Sequence, residues 1–271
     1  MPDTGPAPHI LVFDSGIGGL TVFDEIHHAL PNAPLSYGMD TANFPYGTKS
    51  ESWLKKEVPR FLQKMSAEIS ADIVVVACNS ASTIALEDIR QALDIPVVGT
   101  VPAVKPAARE TQTGVIGVLA TPGTVARQYT KDLISEFAPE CEVLLQGSAE
   151  LVDLAERKAR GETFEQKEIA LALAPLFAQD TEDKMDIVVL ACTHYPFLRP
   201  ELRAVAPRPI QWIDSGAAIA ARVSSIVEMM GPKEETVSEG SVITTGTIAD
   251  IAPYRDLFSK RALTREVTIA G

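Results

Sequence analysis

The chain contains one short stretch twice: Asp72-Ile-Val-Val-Val-Ala-Cys78 recurs as Asp186-Ile-Val-Val-Leu-Ala-Cys192, with a single conservative difference. Such self-similarity indicates an internal repeat. Outward from it, Ile10 to Phe13 before Asp14-Ser15-Gly16 is echoed by Val115 to Leu119 before Thr121-Pro122-Gly123. Likewise Pro96 to Gly99 is echoed by Pro209 to Ile213. Each half of the chain is therefore predicted to hold the same order of buried strands.

Segments with helical spacing separate these strands, for example Leu86, Ile89 and Leu93, or Ile169, Leu173 and Leu176. Alternation of strand and helix predicts an α/β fold of two pseudo-symmetric domains, each a mostly parallel sheet flanked by helices. Ligands of such sheets bind outside the carboxyl ends of the strands. The residues predicted at those ends are Asp14, Cys78, Thr121, Cys192 and Asp214. If the domains pack about a pseudo-two-fold axis, we expect both thiols to border an active site in the interdomain cleft.

Composition excludes several classes of function. The 271 residues are 46% hydrophobic and 22% charged, with a formal net charge of −12. Nucleic acid and anionic membranes are therefore not expected partners. No apolar stretch approaches the roughly 20 residues of a membrane-spanning helix. Residues 1–9 lack a basic region followed by an apolar block, so we expect a cytoplasmic protein without a secretory signal.

Two of the three cysteines, Cys78 and Cys192, end the most apolar strands of the sequence. Each is followed by residues typical of a helix start, Asn79-Ser80-Ala81-Ser82 and Thr193-His194 before Pro196. A thiol at the positive end of a helix deprotonates more readily, which suits it to acid and base chemistry. Two thiols on opposite sides of a carbon could remove one proton and deliver another to the opposite face. The pattern therefore favours a two-base racemase.

Rival uses of the thiols fit less well. A pair of buried structural cysteines is the ordinary alternative, but the duplication argues against it. A zinc site of Cys78, Cys192 and His194 is disfavoured because structural zinc ligands usually come in pairs about two to four residues apart. We therefore predict no metal. A hydrolase with Cys78 as its nucleophile leaves Cys192 without a role.

Other polar residues remain ambiguous on sequence grounds. Asp14-Ser15-Gly16-Ile17-Gly18-Gly19 fits a dinucleotide loop poorly, and its N–H groups are better suited to a carboxylate. Asp14 is interpreted as a polar group near a thiol, with helix capping as the alternative. The segment from Asp40 to Gly47 is interpreted as a turn-rich loop. Glu156 would ordinarily face solvent, and His194 has no role assigned by spacing alone.

Four blocks in this order match a known family: Asp14-Ser15-Gly16-Ile17-Gly18-Gly19-Leu20-Thr21-Val22, Pro45-Tyr46-Gly47, Ala77-Cys78-Asn79-Ser80-Ala81 and Ala191-Cys192-Thr193-His194-Tyr195-Pro196. On these blocks the chain resembles, nearly end to end, the glutamate racemases of the aspartate/glutamate racemase superfamily. The resemblance implies interconversion of L- and D-glutamate without pyridoxal phosphate or metal, supplying D-glutamate for bacterial peptidoglycan.

The resemblance also implies roles for individual residues. Cys78 is expected to act on the D-enantiomer and Cys192 on the L-enantiomer, assisted by Asp14 and His194, with Glu156 as a supporting acid. The implied substrate contacts are Asp14, Ser15, Asp40, Pro45, Tyr46, Gly47, Asn79, Ser80, Thr193 and His194. Ser80 stands where the family usually has threonine, which keeps a hydroxyl. Residues 146–149 depart from the usual pattern before Leu151.

The family and the strand repeat together predict the domain organisation. Residues 1–99 with 210–271 are expected to form the first α/β domain, and residues 100–209 the second. A homodimer is expected from the resemblance. Two other functions stay open: an aspartate or hydantoin racemase of the same superfamily, and a non-catalytic two-lobed amino-acid-binding protein.

Overall fold

The structure is a computed structural model that describes residues 7–231 and 240–270. The predictions made for the first six residues lie outside this range. The chain divides into two compact units, and each carries a parallel sheet with helices packed on it. The first unit comprises residues 1–100 and 216–271, and the second comprises residues 101–215. The predicted α/β class with two domains is confirmed.

The described strands, in chain order, are β1 (Ile10–Asp14), β2 (Leu35–Met39), β3 (Ile73–Val76), β4 (Val97–Gly99), β5 (Val115–Ala120), β6 (Glu142–Gly147), β7 (Ile187–Leu190), β8 (Gln211–Ile213), β9 (Gly240–Thr244) and β10 (Leu263–Thr268).

The described α-helices are α1 (Leu20–Ala29), α2 (Glu51–Glu68), α3 (Asn79–Ala92), α4 (Val104–Glu110), α5 (Pro122–Ala126), α6 (Gln128–Phe137), α7 (Glu150–Ala159), α8 (Gln166–Phe177), α9 (Arg199–Val205), α10 (Gly216–Met230), α11 (Ile248–Ile251) and α12 (Arg255–Ser259). Short 3-10 helices span Tyr46–Thr48, Tyr195–Leu198 and Ala252–Tyr254. Among the described residues, no helix has the length and apolar character needed to cross a membrane.

In the first unit, the described strands form a parallel sheet in the order β10-β9-β2-β1-β3-β4. Strand β1 lies inside it, with Val12 opposite both Tyr37 and Val75. All of its residues are buried, as expected for a strand covered on both faces. Helices α2 and α3 pack together against one face, where they enclose Leu11, Phe13 and apolar residues of β3.

In the second unit, the described strands form a parallel sheet in the order β6-β5-β7-β8. Successive residues of its inner strands point to opposite faces, as the period of a strand requires. Leu119 and Val188 pack with α7 and α8, whereas Val118 and Val189 pack with α4 and α6. The sheet is therefore covered by helices on both sides.

The second domain boundary differs from the expected one. The family and the strand repeat together placed the return to the first domain after residue 209, but Gln211 and Trp212 still pair with β7 in the smaller sheet. Trp212 is also buried in the core of the second unit. The return therefore comes after Ser215, at the start of α10.

Candidate active site

Polar residues follow the carboxyl ends of the strands in each unit. In the first unit, Asp14 ends β1, Asp40 follows β2 and Cys78 follows β3. Because all these strands run parallel, their carboxyl ends lie at one edge of the sheet. In the second unit, Cys192 follows β7 in the same way. The four residues are buried.

Cys78 is held between a helix start and a short polar loop. It is the N-cap residue of α3, whose first-turn N–H groups have no intrahelical partners. The Ser15 hydroxyl lies 4.0 Å from its sulfur. The Ser15 backbone N–H donates to Asp14 Oδ1 at 2.6 Å. Asp14, Ser15 and Cys78 therefore form one buried polar group in the first unit.

Asp14 does not cap α1, the alternative that the sequence left open. The N-cap residue of that helix is Gly19, which provides no side-chain cap. A Cβ at Gly19 would lie 2.9 Å from the Cβ of Asp14 and 2.9 Å from the Tyr37 hydroxyl. That hydroxyl donates to the Gly16 carbonyl at 2.6 Å. The glycine-rich loop therefore has to pass close over Asp14, which explains the glycine at position 19.

Asn79 and Ser80 occupy the first turn of α3 and are buried. Among the described residues, Asn79 Oδ1 has no hydrogen-bond partner. A buried carbonyl oxygen without a donor is unfavourable unless a ligand or water satisfies it. This oxygen is consequently suited to accept a hydrogen bond from a bound molecule.

Asp40 and Tyr46 form a second buried group in the first unit. The Tyr46 hydroxyl donates to Asp40 Oδ2 at 2.5 Å, and Asn43 Nδ2 donates to Oδ1 at 3.0 Å. The hydroxyl of Thr245 also donates to Oδ1. Pro45 is exposed and Gly47 half-buried on either side of Tyr46. The carboxylate of Asp40 is therefore satisfied from within the chain.

The electrostatics of Tyr46 connect this group to the thiol. Burial raises the pKa of the Tyr46 hydroxyl well above its ordinary value, and the negative charge and hydrogen bond of Asp40 raise it further. Charges on Cys78 and Asp14 act in the same direction. Tyr46 therefore remains a protonated hydrogen-bond donor beside these acids.

In the second unit, His194 connects Cys192 to Glu156. The Nδ1 atom of His194 lies 3.9 Å from the sulfur of Cys192, and its Nε2 lies 2.8 Å from Glu156 Oε1. His194 is 3% exposed and Glu156 is 4% exposed. Burial by itself lowers the pKa of His194, but hydrogen bonds and charges from Cys192 and Glu156 raise that pKa well above 6.5. The imidazolium form is therefore favoured between two acidic partners.

The helix start predicted after Cys192 takes a different form. The short 3-10 helix there begins at Tyr195, and His194 is its N-cap residue. The positive end of an α-helix thus acts on Cys78 but not on Cys192, where the imidazole of His194 provides the neighbouring polar group. Thr193 is buried between the two.

Two features of the site escaped the sequence analysis. Thr245 had no motif to mark it, because it reaches Asp40 across about two hundred residues of chain. The burial of Glu156 had a usable signal: Val152, four residues earlier on α7, is apolar and shares its face. No group of three or more His, Cys, Asp or Glu side chains suited to a metal occurs within residues 7–231 and 240–270.

Comparison with known proteins places this chain in a family. Residues 10–223 match the Asp/Glu/Hydantoin racemase family. A glutamate racemase of Brucella canis is 46% identical over 239 residues, covering 88% of this chain and 86% of the relative.

Solved structures agree with the sequence match. One is the crystal structure of Escherichia coli glutamate racemase in complex with L-glutamate and the activator UDP-MurNAc-Ala. Its sequence is 40% identical to this chain, the match covers 98% of this chain and 99% of that one, and the TM-score is 0.93. Glutamate racemase from Thermus thermophilus, in complex with beta-chloro-D-alanine, is 27% identical with a TM-score of 0.75, covering 98% of both chains. The chain therefore belongs to the Asp/Glu/hydantoin racemase family and is a racemase, an isomerase.

Proposed function

We propose that this racemase interconverts L- and D-glutamate by a two-base mechanism in which Cys78 and Cys192 are the acid and base. The observation that carries the proposal is that each unit presents one buried thiol at the end of an equivalent parallel strand, with its own polar partners. The sequence repeat around the two thiols supports it. So do the relatives, which are named glutamate racemases.

In the proposed reaction, one thiolate takes the α-proton while the other thiol delivers a proton to the opposite face. We assign Cys192 to the L-enantiomer and Cys78 to the D-enantiomer, as the family resemblance implies. The thiols begin in opposite protonation states and exchange them with each turnover. Because the two sulfur atoms carry both proton transfers, the reaction has no need of a cofactor.

On the Cys192 side, His194 is proposed to assist the sulfur as an imidazolium. Opposite charges in a buried site stabilise each other, so an imidazolium at His194 would offset the negative charge that Cys192 carries as the base of the L-to-D reaction. Glu156 keeps the ring charged and fixes its orientation through Nε2. On the Cys78 side, Asp14 and the Ser15 hydroxyl are proposed to assist the thiol.

Formation of the carbanion intermediate is the least favourable step, because the α-proton of glutamate is far less acidic than a thiol. Preorganised donors must therefore stabilise the carbanion that develops. We propose that the hydroxyls of Ser15, Ser80 and Thr193 and the first-turn N–H groups of α3 bind the substrate carboxylates. Asn79 Oδ1, which no donor satisfies within the described part of the chain, is suited to the substrate ammonium group. The remaining proposed contacts are Asp14, Asp40, Pro45, Tyr46, Gly47 and His194.

Several finer points accompany this proposal. The product D-glutamate would supply peptidoglycan synthesis, in a cytoplasmic enzyme that acts as a homodimer. The peptidoglycan role and the homodimer follow from the family resemblance, and the cytoplasmic location is the expectation drawn from the sequence. Aspartate or a hydantoin is the second candidate substrate, because the matching family includes racemases of those compounds.

The test is proton NMR of the purified protein with L-glutamate in deuterated water, together with optical rotation. We expect the α-proton signal to disappear while the rotation decays to zero. Cys192→Ala should abolish the decay of rotation, whereas a single-thiol hydrolase would keep its activity. If the protein racemises aspartate or a hydantoin but not glutamate, that compound is the substrate and the assignment to glutamate is wrong. If the protein racemises neither glutamate, aspartate nor a hydantoin, the proposal is contradicted.

A further inference from the structure

The pairing of His194 with Glu156 depends on two segments of the second unit keeping their register. Glu156 belongs to α7, while His194 stands at the start of the turn that leads through Tyr195–Leu198 into α9. The contact between them is 2.8 Å long and fully enclosed. A small slide of α7 along this turn would therefore lengthen the contact, since a hydrogen bond weakens steeply with distance and angle.

A second contact joins the same two segments. Lys158, two residues after Glu156 on α7, donates from Nζ to the Phe197 carbonyl at 2.8 Å and to Glu201 Oε1 at 2.5 Å. The ion pair is sheltered, with side-chain exposures of 34% for Lys158 and 26% for Glu201.

The carbonyl that Lys158 binds is coupled back to the histidine. Phe197 donates its own N–H to the His194 carbonyl at 3.2 Å. Lys158 thus holds one end of a short hydrogen-bonded turn whose other end is His194. Glu201, in the first turn of α9, fixes the cation from the far side.

We propose that Lys158 is a positioning residue that holds α7 in register with the 194–201 turn and so keeps Glu156 on His194. The catalytic consequence rests on the proposed racemase function, in which His194 assists Cys192. The structural consequence, the strength of the His194–Glu156 pair, does not.

Arg157 offers a matched control on the same helix. It also donates to a carboxylate and a carbonyl, Glu168 at 2.9 Å and the Thr163 carbonyl at 2.9 Å. Glu168 lies in the first turn of α8 and Thr163 in the connection before it, and neither belongs to the 194–201 turn. Arg157→Met therefore removes a comparable cation and comparable contacts without loosening the 194–201 turn.

The first experiment follows the titration of His194 by NMR of ¹⁵N-histidine-labelled protein, which has only four histidines to assign. Glu156 and Cys192 are the charged groups that raise the pKa of His194. In Lys158→Met we expect this pKa to fall towards its ordinary value because the Glu156 contact loosens. Removing a positive charge would by itself raise the pKa, so the direction separates positioning from simple electrostatics. Lys158→Arg should leave the pKa nearly unchanged, and Arg157→Met, which removes a cation without a contact to the 194–201 turn, should leave it unchanged or raise it slightly.

The second experiment measures α-deuterium isotope effects on kcat/KM for both enantiomers. If the proton transfer at Cys192 becomes slower, the isotope effect with L-[2-²H]glutamate should rise, and that with D-[2-²H]glutamate should fall towards unity. We expect Lys158→Met to lower kcat/KM by roughly 10- to 100-fold, since a misplacement of about 1 Å can cost on the order of 10²-fold. Lys158→Arg should recover most of the loss.

The proposed function and the role of Lys158 can be contradicted by different results. A wild-type protein that does not racemise glutamate would contradict the proposed function, while the titration would still decide whether Lys158 positions His194. An unchanged or raised pKa of His194 in Lys158→Met would overturn the inference. So would a loss of activity that leaves both isotope effects unaltered, or an equal change in Arg157→Met, because either result would indicate general damage to α7.

Discussion

Replacing Glu156 by glutamine should destabilise the protein in a pH-dependent manner. The substitution keeps an oxygen that can accept a hydrogen bond from His194 but removes the negative charge. In the native protein this charge helps to raise the pKa of His194 well above 6.5 despite complete burial. The stability that the pair contributes should therefore change with the protonation of the imidazole.

The sign follows from linkage. A histidine whose pKa is raised in the folded state contributes stability that is fully present below the unfolded-state value of 6.5. This contribution is lost as the pH rises through the folded-state pKa. The difference between wild type and Glu156→Gln should thus be largest at about pH 6 and shrink at higher pH.

The magnitude follows from the burial of the pair. Removing one partner of a buried ion pair costs about 3 to 5 kcal/mol. Since glutamine retains an acceptor, we expect a loss of about 3 kcal/mol at about pH 6. Where His194 is neutral, only the difference between two hydrogen bonds remains, about 1 kcal/mol.

The assay is urea-induced unfolding of both proteins over this pH range, followed by circular dichroism. Glu168→Gln is the matched control, because Glu168 pairs with Arg157 at the surface. Hydrogen bonds from the Glu165 backbone N–H and from Arg157 lower the pKa of Glu168, so its charge does not change over this pH range. Its effect should be small and constant. A loss of stability in Glu156→Gln that stays constant or grows with rising pH would refute the assignment of an imidazolium at His194.

Three further predictions follow from the site. Cys78→Ser and Cys192→Ser should each abolish racemisation measured by polarimetry without changing the circular dichroism spectrum. Cys141→Ser is the control, because this half-buried thiol belongs to neither polar group, and it should remain active. Residual turnover in Cys78→Ser or Cys192→Ser would contradict the two-thiol mechanism. Asp14→Asn should lower kcat by roughly 10² to 10⁴, the usual contribution of an acid or base group, and an unchanged rate would leave Asp14 without a catalytic role. Thr245→Val should raise KM because Asp40 loses a donor, and Thr245→Ser should restore it; a fall in kcat at constant KM would show that this threonine does not act through substrate binding.

Much of the fold could be predicted because its strands are short apolar runs that end at recognisable polar residues. Buried parallel strands have no polar face, so β3 and β7 stand out in the sequence, and their repetition indicated two similar units. The second domain boundary was harder to place. The repeat marked the segment that forms the short strand β8, but its membership of the second sheet depends on hydrogen bonds to β7.

The sequence by itself predicted which residues could do chemistry: the two strand-end thiols and the glycine-rich loop after β1 from their positions, and the histidine beside Cys192 from the family resemblance. Their order along the chain carries this information because parallel strands bring their carboxyl ends to one edge. Only the tertiary structure decided which side chains surround them. Glu156 looked like a surface residue beside Arg157 and Lys158, yet it is buried against His194. Thr245, the residue after β9, reaches Asp40 from near the end of the chain. Such pairings depend on the packing of distant segments, which no local pattern of residues encodes.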